Sequence, residues 1–199
     1  MRSKNISNMV QLAVLLAVVI FLQCFLGSIV VGTTSFSVVL VPIVIGAIIL
    51  GPGAGAFLGF AFGLIVLNRG ISGQDGFTNL LLLDHPVFTA LICLGKGAAA
   101  GWAAGMVYQL IEKASSFWAS VAAAAVAPIV NTGLFILGGL TLVRGTLDTN
   151  LAAFGADDVV VFLVIGCAGI NFLVEFAVNM ILSPAIYRII HVVKAKISH

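Results

Sequence analysis

Two ionisable residues, Lys96 and Glu175, lie well inside long apolar stretches of the sequence. A charged side chain within a membrane costs about 3 kcal/mol or more unless it is paired or hydrated, so such a residue indicates a functional site. The ammonium group of Lys96 either meets a carboxylate on a bound ligand, pairs with Asp84 or extends outward to the membrane surface. Glu175 either contacts the same ligand or pairs with another group of the protein. Both residues are therefore candidate substrate contacts.

Asparagine side chains accompany these two charges. Asn171, Glu175 and Asn179 recur at every fourth position, which places them on one face of a helix. Asn131 interrupts the preceding apolar stretch, where it either lines a pocket or joins two helices by hydrogen bonds. Asn179 lies near the far end of its helix, where a structural role explains it better. The pattern predicts a polar pocket containing Lys96, Asn131, Asn171 and Glu175.

No catalytic signature accompanies these polar residues. The sequence has no serine nucleophile elbow, no His-rich helix and no pair of intramembrane aspartates. The glycine-rich segment at residues 51–55 lacks the Gly-Lys-Ser/Thr ending of a phosphate-binding loop. The histidines and cysteines are scattered and have no metal-ligand spacing. We therefore expect a binding protein, not an enzyme, with no metal and no cofactor of its own.

The composition of the chain is that of an integral membrane protein. Of its 199 residues, 61% are hydrophobic and 8% are charged, and the mean hydropathy is +1.23. A soluble domain of this size could not bury so much apolar surface. The formal net charge of +2 gives no indication of nucleic-acid binding. The apolar stretches predict one all-α domain with six transmembrane helices, at about residues 8–27, 36–50, 54–68, 86–111, 117–143 and 159–187.

The most regular pattern in the chain surrounds the Gly-Pro-Gly motif at residues 51–53. Four glycines recur at every fourth position from Gly51 to Gly63, which leaves one helix face bare for close packing against another helix. Proline removes a backbone donor and glycine tolerates a turn, so the motif is expected to separate two helices. Each would have about 15 residues and fold back on the other, with a re-entrant hairpin as the alternative.

The basic residues are distributed unevenly between the two predicted sides of the membrane. Six spans place both termini on the same side. That side carries Arg2, Lys4, Lys113, Arg188, Lys194 and Lys196, whereas the opposite side carries Arg69 and Arg144. The positive-inside rule therefore predicts that both termini lie in the cytoplasm.

The loops at residues 68–84 and 144–158 are accordingly expected outside, and a Gly/Thr/Ser-rich stretch at residues 28–37 is expected to be a further loop. The loop at residues 68–84 has an apolar end, and it either covers a cavity as a lid or lies on the surface as a connector. Its residues Asn68, Phe77 and Asn79 are candidate substrate contacts. The pocket would open outward between the fourth, fifth and sixth helices.

Four segments resemble a known transporter family when they are taken in order. They are Ala13-x-x-x-Ala17, PIVIGAIILGPGAGAFLGFAFGL, LGKGAAAGWAAGMVYQLIEK and APIVNTGLFILG. By spacing alone the two alanines indicate either ordinary helix packing or a docking face. Together the segments resemble the substrate-binding S component of an energy-coupling factor (ECF) vitamin transporter, over nearly the whole chain.

This resemblance implies a complex of several subunits in a bacterial cell membrane. The S component binds a vitamin from outside and docks onto a membrane coupling subunit, called the T subunit, through small residues of its first helix. By resemblance these residues are Ala13 and Ala17. Two cytoplasmic ATPase subunits use ATP to drive uptake, while the S component itself binds none.

The resemblance places the ligand among riboflavin, folate and pantothenate. Lys96 favours a vitamin that bears a carboxylate, and the chain has only two tryptophans with which to stack a large flat ring. We therefore place pantothenate first and folate second. A stand-alone small-molecule permease and an integral-membrane enzyme, using Asp84 with His85 or Glu175, are the alternatives.

Overall fold

The computed structural model describes the backbone of residues 2–25, 30–31, 34–35 and 38–197, and the side chains of residues 6–25, 38–169 and 171–192. Most of this backbone is helical. In chain order the elements are α1 Arg2–Phe25, β1 Val30–Val31, β2 Thr34–Ser35, α2 Leu40–Leu50, α3 Pro52–Ile71, α4 Gly76–Asp84, α5 Pro86–Ile111, α6 Ser116–Leu142, α7 Arg144–Asn150, a 3₁₀-helix Leu151–Phe154, α8 Val159–Val161, a π-helix Phe162–Gly169 and α9 Ile170–Ile197.

Five helical stretches of the described chain are long and apolar enough to cross a membrane. They are α1 from Ile6 onward, α3, α5, α6 and the continuous rod formed by α8, the π-helix and α9. A hydrocarbon core of ~30 Å requires about 20 residues of α-helix, and each of these stretches has at least 20. The protein is accordingly an all-α, multi-pass membrane protein.

Helix α2 is shorter than the others. It has 11 residues, which span about 16 Å at 1.5 Å per residue. Gly51 ends it with a φ of 100°, a backbone conformation that glycine adopts without strain. Pro52 begins α3, where its missing N–H has no helical partner to lose. The chain therefore breaks at the Gly-Pro-Gly motif, as predicted, and α2 folds back so that Leu58 of α3 packs against Gly46.

The glycine face of α3 packs against α5. Gly59 and Gly97 approach so closely that a Cβ atom on either residue would overlap the carbonyl oxygen of the other. Gly55 and Gly101 form a second pair of the same kind. Because glycine has no Cβ, the two backbones touch directly along this face. This contact fixes α5 beside α3 and thereby positions Lys96, which directly precedes Gly97.

Helices α4 and α7 cover one end of the bundle, and we call them the roof. They occupy parts of the two segments that the sequence predicts as external loops. Asp75 starts α4 by accepting a hydrogen bond of 3.2 Å from the backbone N–H of Thr78. The Thr146 hydroxyl of α7 donates to the carboxylate of Asp84 at the end of α4. These short helices pair backbone groups that an irregular loop would leave unpaired.

The segment at residues 28–37 also contains regular structure where a loop was predicted. Strands β1 and β2 pair antiparallel, with Val30 opposite Ser35 and Val31 opposite Thr34. The other residues of this segment lie outside those described. The prediction of an irregular loop is therefore corrected at these four positions, where strand pairing satisfies backbone hydrogen bonds.

Candidate functional site

A cavity of about 120 Å³ lies inside the bundle between α3, α5, α6 and α9, with α4 at its roof end. Much of its wall is apolar, for example at Phe62, Val66 and Ile92. Five residues that the sequence predicts as substrate contacts also line it: Phe77, Lys96, Asn131, Asn171 and Glu175. An apolar wall with a few polar groups is typical of a small-molecule binding site.

Lys96 brings the positive charge into this cavity. Its Nζ atom lies 5.1 Å from the centre of the Phe135 ring, which is the geometry of a cation–π contact. The ion pairs of His85 with Asp84 and of Arg144 with Asp148 do not involve Lys96. The ammonium group is therefore held by an aromatic face, which leaves its hydrogen-bond donors available to a ligand.

Glu175 of α9 also lines the cavity, and it is only 2% exposed. Its carboxyl group is within hydrogen-bonding reach of the Asn171 and Asn131 side chains and within electrostatic range of Lys96. Asn171 precedes Glu175 by one helical turn, and the packing of α6 against α9 brings in Asn131. The structure thus gathers three polar residues that the sequence places in two separate apolar stretches, Asn131 in one and Asn171 with Glu175 in the other.

Three oxygen atoms of this wall have no hydrogen-bond donor from the protein. They are Asn131 Oδ1, Asn171 Oδ1 and Glu175 Oε2, and each is buried. Buried polar atoms of native proteins are nearly always paired, and an unpaired one costs roughly 1–3 kcal/mol. Oxygens that line a cavity can be satisfied by a molecule that enters it. These three oxygens can therefore accept hydrogen bonds from a molecule in the cavity.

The wall next to Asn171 is a π-helix in place of the continuous α-helix that the sequence predicts. It covers Phe162–Gly169, and its residues Leu163, Cys167 and Ala168 line the cavity. A π-helix has wider turns, so it shifts the side chains before Asn171 relative to those after it. Short π-helical segments of this kind occur frequently at functional sites.

Aromatic side chains close the roof end of the cavity. The Phe77 ring of α4 lies 6.0 Å from the Phe135 ring, 5.8 Å from Phe154 and 6.0 Å from Phe162, measured between ring centres. Phe154 and Phe162 stack on each other at 4.9 Å. These rings join α4 and the 3₁₀-helix to the transmembrane helices. Movement of α4 would therefore change the shape of the cavity at this end.

Some polar residues of the cavity wall were not predicted from the sequence. Gln23 of α1 is 4% exposed and lines the cavity. Asp75 and Thr78 line it from the start of α4, and Thr89 lines it from the first turn of α5. Gln23 had a detectable signal, since it is a lone amide in an apolar stretch like Asn131. Asp75 and Thr78 depend on α4, which the sequence pattern did not reveal.

Two predicted substrate contacts lie outside the cavity wall. Asn68 is exposed on α3. Asn79 points away from the cavity, and its Nδ2 donates a hydrogen bond of 2.9 Å to the backbone oxygen of Gly70. Asn79 ties α4 to α3 and Asn68 lies on the surface, so a substrate contact of either residue stays a prediction. Asn179, expected to be structural, donates from Nδ2 to the backbone oxygen of Glu175 at 2.8 Å and does not line the cavity.

The two alanines of α1 lie on the outer surface of the bundle. Ala13 and Ala17 are both exposed, and so are Val10, Val14 and Val18 nearby. The side chains of α1 that are buried are Val19 and Gln23, within the described part of that helix. The face carrying the alanines therefore has no partner within the described part of the chain.

The described residues offer no cluster of three His, Cys, Asp or Glu side chains that could hold a metal ion. The arrangement instead suits reversible binding, because it places a cation, a group of acceptors and an apolar wall around one cavity. Searches of the chain against protein-family models, curated proteins and solved structures found no match.

Proposed function

We propose that this chain is the substrate-binding S component of an ECF-type vitamin importer. Its ligand is a carboxylate-bearing vitamin, with pantothenate ahead of folate. The chain spans a bacterial cell membrane six times with both termini in the cytoplasm, and α2 supplies the shortest span. It works with a membrane coupling subunit and two ATPase subunits that hydrolyse ATP.

The observation that carries this proposal is the cavity with unsatisfied polar groups inside a multi-pass membrane protein. Lys96 offers hydrogen-bond donors, whereas Asn131, Asn171 and Glu175 offer buried acceptors without protein donors. Such groups raise the free energy of the ligand-free state and are satisfied when a complementary molecule binds. This supports tight binding of a small polar molecule.

The size of the cavity supports the smaller of the two vitamins. An engineered apolar cavity of roughly 150 Å³ holds one benzene molecule, and the cavity here measures about 120 Å³. Any vitamin must therefore widen it, and pantothenate requires much less widening than folate. Movement of the aromatic roof would provide the space.

The exposed alanine face of α1 supports the docking part of the proposal. Ala13 and Ala17 leave a shallow groove in which a second helix can approach closely. The T subunit would dock on this face, on the outside of the bundle. Transport would then depend on this contact, whereas binding of the vitamin would not.

Identification of the bound molecule is the most direct test. The protein is purified in detergent, small molecules that co-purify are identified by mass spectrometry, and pantothenate and folate are titrated by calorimetry. We expect pantothenate to bind, and Lys96→Ala to reduce its affinity at least tenfold, since a charged hydrogen bond contributes about 1.5–3 kcal/mol. Lys113→Ala, at the exposed end beyond α5, is the matched control. Undiminished binding by Lys96→Ala would contradict the carboxylate assignment.

Uptake assays separate this proposal from its alternatives. Liposomes that contain this chain alone should bind the vitamin without accumulating it, and uptake should require the coupling subunit, the ATPases and ATP. Accumulation by the chain alone would instead identify a stand-alone permease. Conversion of the ligand by the purified chain would identify an enzyme.

A further inference from the structure

We infer that the ligand lies in the cavity with a fixed polarity: its anionic end meets Lys96, and its opposite end carries O–H or N–H donors that meet Asn131, Asn171 and Glu175. The inference rests on the proposed function for the choice of probe molecules. It goes beyond that function by stating which groups the ligand must possess at each end.

The acceptor end of the cavity is defined by three unsatisfied oxygens. Asn131 and Glu175 are 4% and 2% exposed, so water from outside the cavity does not reach them freely. The unpaired atoms are amide and carboxylate oxygens, which accept hydrogen bonds. A ligand that presents only acceptors or methyl groups here would leave all three unsatisfied, whereas hydroxyl or N–H groups would satisfy them.

The donor end of the cavity is defined by Lys96 and lies closer to the roof. Its ammonium group is beside Phe135, whose ring also contacts Phe77 of the roof. Asn131 lies four residues before Phe135 on α6, about 6 Å further from the roof at 1.5 Å per residue. The anionic end of the ligand therefore lies toward the roof and its donor end toward the middle of the bundle.

The rest of the cavity wall includes apolar side chains, among them Phe62 and Ile92. Apolar side chains pack well against methyl groups. Pantothenate has a carboxylate at one end and two hydroxyls at the other, with two methyl groups close to the hydroxyls and an amide in between. Its chemistry therefore makes it a suitable probe of the inference.

The test uses three probes that differ by one end at a time. D-pantothenate has both ends, panthenol has a hydroxyl in place of the carboxylate, and dideoxy-pantothenate has hydrogens in place of both hydroxyls. We expect the wild-type protein to bind each analogue at least tenfold more weakly than pantothenate, since tenfold corresponds to the loss of one good hydrogen bond. Equal binding of pantothenate and dideoxy-pantothenate would overturn the inference.

Variants then assign each end of the ligand to its side chains. Lys96→Met should abolish the preference for pantothenate over panthenol and retain the preference over dideoxy-pantothenate. Glu175→Gln should abolish the preference for pantothenate over dideoxy-pantothenate and retain the preference over panthenol. The new N–H₂ group donates a hydrogen bond at a position where the ligand needs an acceptor. The matched control is Asp157→Asn, at an exposed position outside the cavity wall, which should retain both preferences. If Lys96→Met instead abolishes the preference over dideoxy-pantothenate and Glu175→Gln abolishes the preference over panthenol, the stated polarity is overturned.

A second measurement does not depend on the identity of the ligand. In the ligand-free protein, Glu175→Gln removes a buried carboxylate and supplies N–H donors to the unpaired asparagine oxygens, so the melting temperature should rise by several degrees. Asp157→Asn, at an exposed position, should leave it unchanged. If Glu175→Gln lowers the melting temperature, the carboxylate has a structural role and the inference is wrong. If pantothenate does not bind, the assignment of pantothenate as the ligand fails. The melting temperatures of the ligand-free variants then decide the inference.

Discussion

The ammonium group of Lys96 lies 5.1 Å from the centre of the Phe135 ring. The ring holds the charge by its electron-rich face, and this contact contributes about 0.5–2 kcal/mol. A carboxylate partner would instead occupy the hydrogen-bond donors of Lys96. The aromatic contact therefore keeps the lysine oriented inside an apolar cavity while its donors stay available to a ligand.

This relationship predicts how Phe135 affects binding. Phe135→Leu keeps an apolar side chain but removes the ring face, so Lys96 loses its orientation and ligand affinity should fall about two- to tenfold. In a Lys96→Met background the same substitution should have little effect, because the two residues act as one unit. Calorimetric titration of the single and double variants measures this coupling.

Phe88→Leu, an exposed phenylalanine of α5, is the control for Phe135→Leu and should bind normally. Equal losses of affinity from Phe135→Leu in both backgrounds would mean that Phe135 contacts the ligand directly. That result would contradict the role given to the cation–π contact.

The packing of α3 on α5 predicts opposite effects for two glycines of the same helix. Gly97→Ala places a Cβ atom against the backbone of Gly59, so α3 and α5 must separate, and we expect a loss of about 1–3 kcal/mol. Gly95 has open space around its Cβ position, and Gly95→Ala should stabilise the helix by about 0.5–1 kcal/mol. Thermal unfolding in detergent measures whether each substitution raises or lowers the stability of the protein. A stabilising Gly97→Ala would contradict the direct backbone contact.

The long helices and the main polar residues could be predicted from the sequence because their signals are local. The predicted bounds of the fourth helix, residues 86–111, agree with those of α5, since Pro86 suits a first turn and a charged pair follows Ile111. Lys96, Asn131 and Glu175 stand out because polar residues are costly within apolar stretches. Their appearance in one cavity wall required only that their helices pack together.

Other features could not be predicted because they depend on tertiary packing. The direction of Asn79 is set by its hydrogen bond to Gly70, which exists only because α4 folds back on α3. The π-helix before Asn171 has the same apolar composition as an ordinary α-helix, so its hydrogen-bond register leaves no mark in the sequence. The contribution of Gln23 depends on how α1 packs on the bundle.

The link between α4 and α7 predicts how fast a ligand leaves. The Thr146 hydroxyl donates to the Asp84 carboxylate and thereby holds two parts of the roof together. Thr146→Val keeps the side-chain shape but removes this hydrogen bond, which contributes about 0.5–1.5 kcal/mol. The dissociation rate of the ligand should rise about two- to tenfold, measured by chasing bound radiolabelled vitamin with unlabelled vitamin.

The control for Thr146→Val is Thr141→Val. The Thr141 hydroxyl donates to the Leu137 carbonyl within α6 at 2.7 Å and is exposed, so it does not connect parts of the roof. Equal dissociation rates for the two variants would show that the Asp84–Thr146 contact does not control opening.

For the proposed S component, the exposed face of α1 predicts a separation between vitamin binding and transport. Ala13→Trp and Ala17→Trp fill the shallow groove on the outside of the bundle, so a partner helix can no longer approach closely. Both variants should bind the vitamin with unchanged affinity in detergent, because neither residue lines the cavity. Uptake into cells or into liposomes that contain the full complex should fall at least tenfold.

Val18→Trp provides the matched control for this face. Val18 is exposed on the same helix but lies about 100° around the axis from Ala17. A large side chain there should leave the alanine groove open and uptake close to normal. If all three variants transport equally well, α1 does not dock through its alanines. If Ala13→Trp or Ala17→Trp also abolishes binding, the face supports the fold of the bundle and is not a separate docking surface.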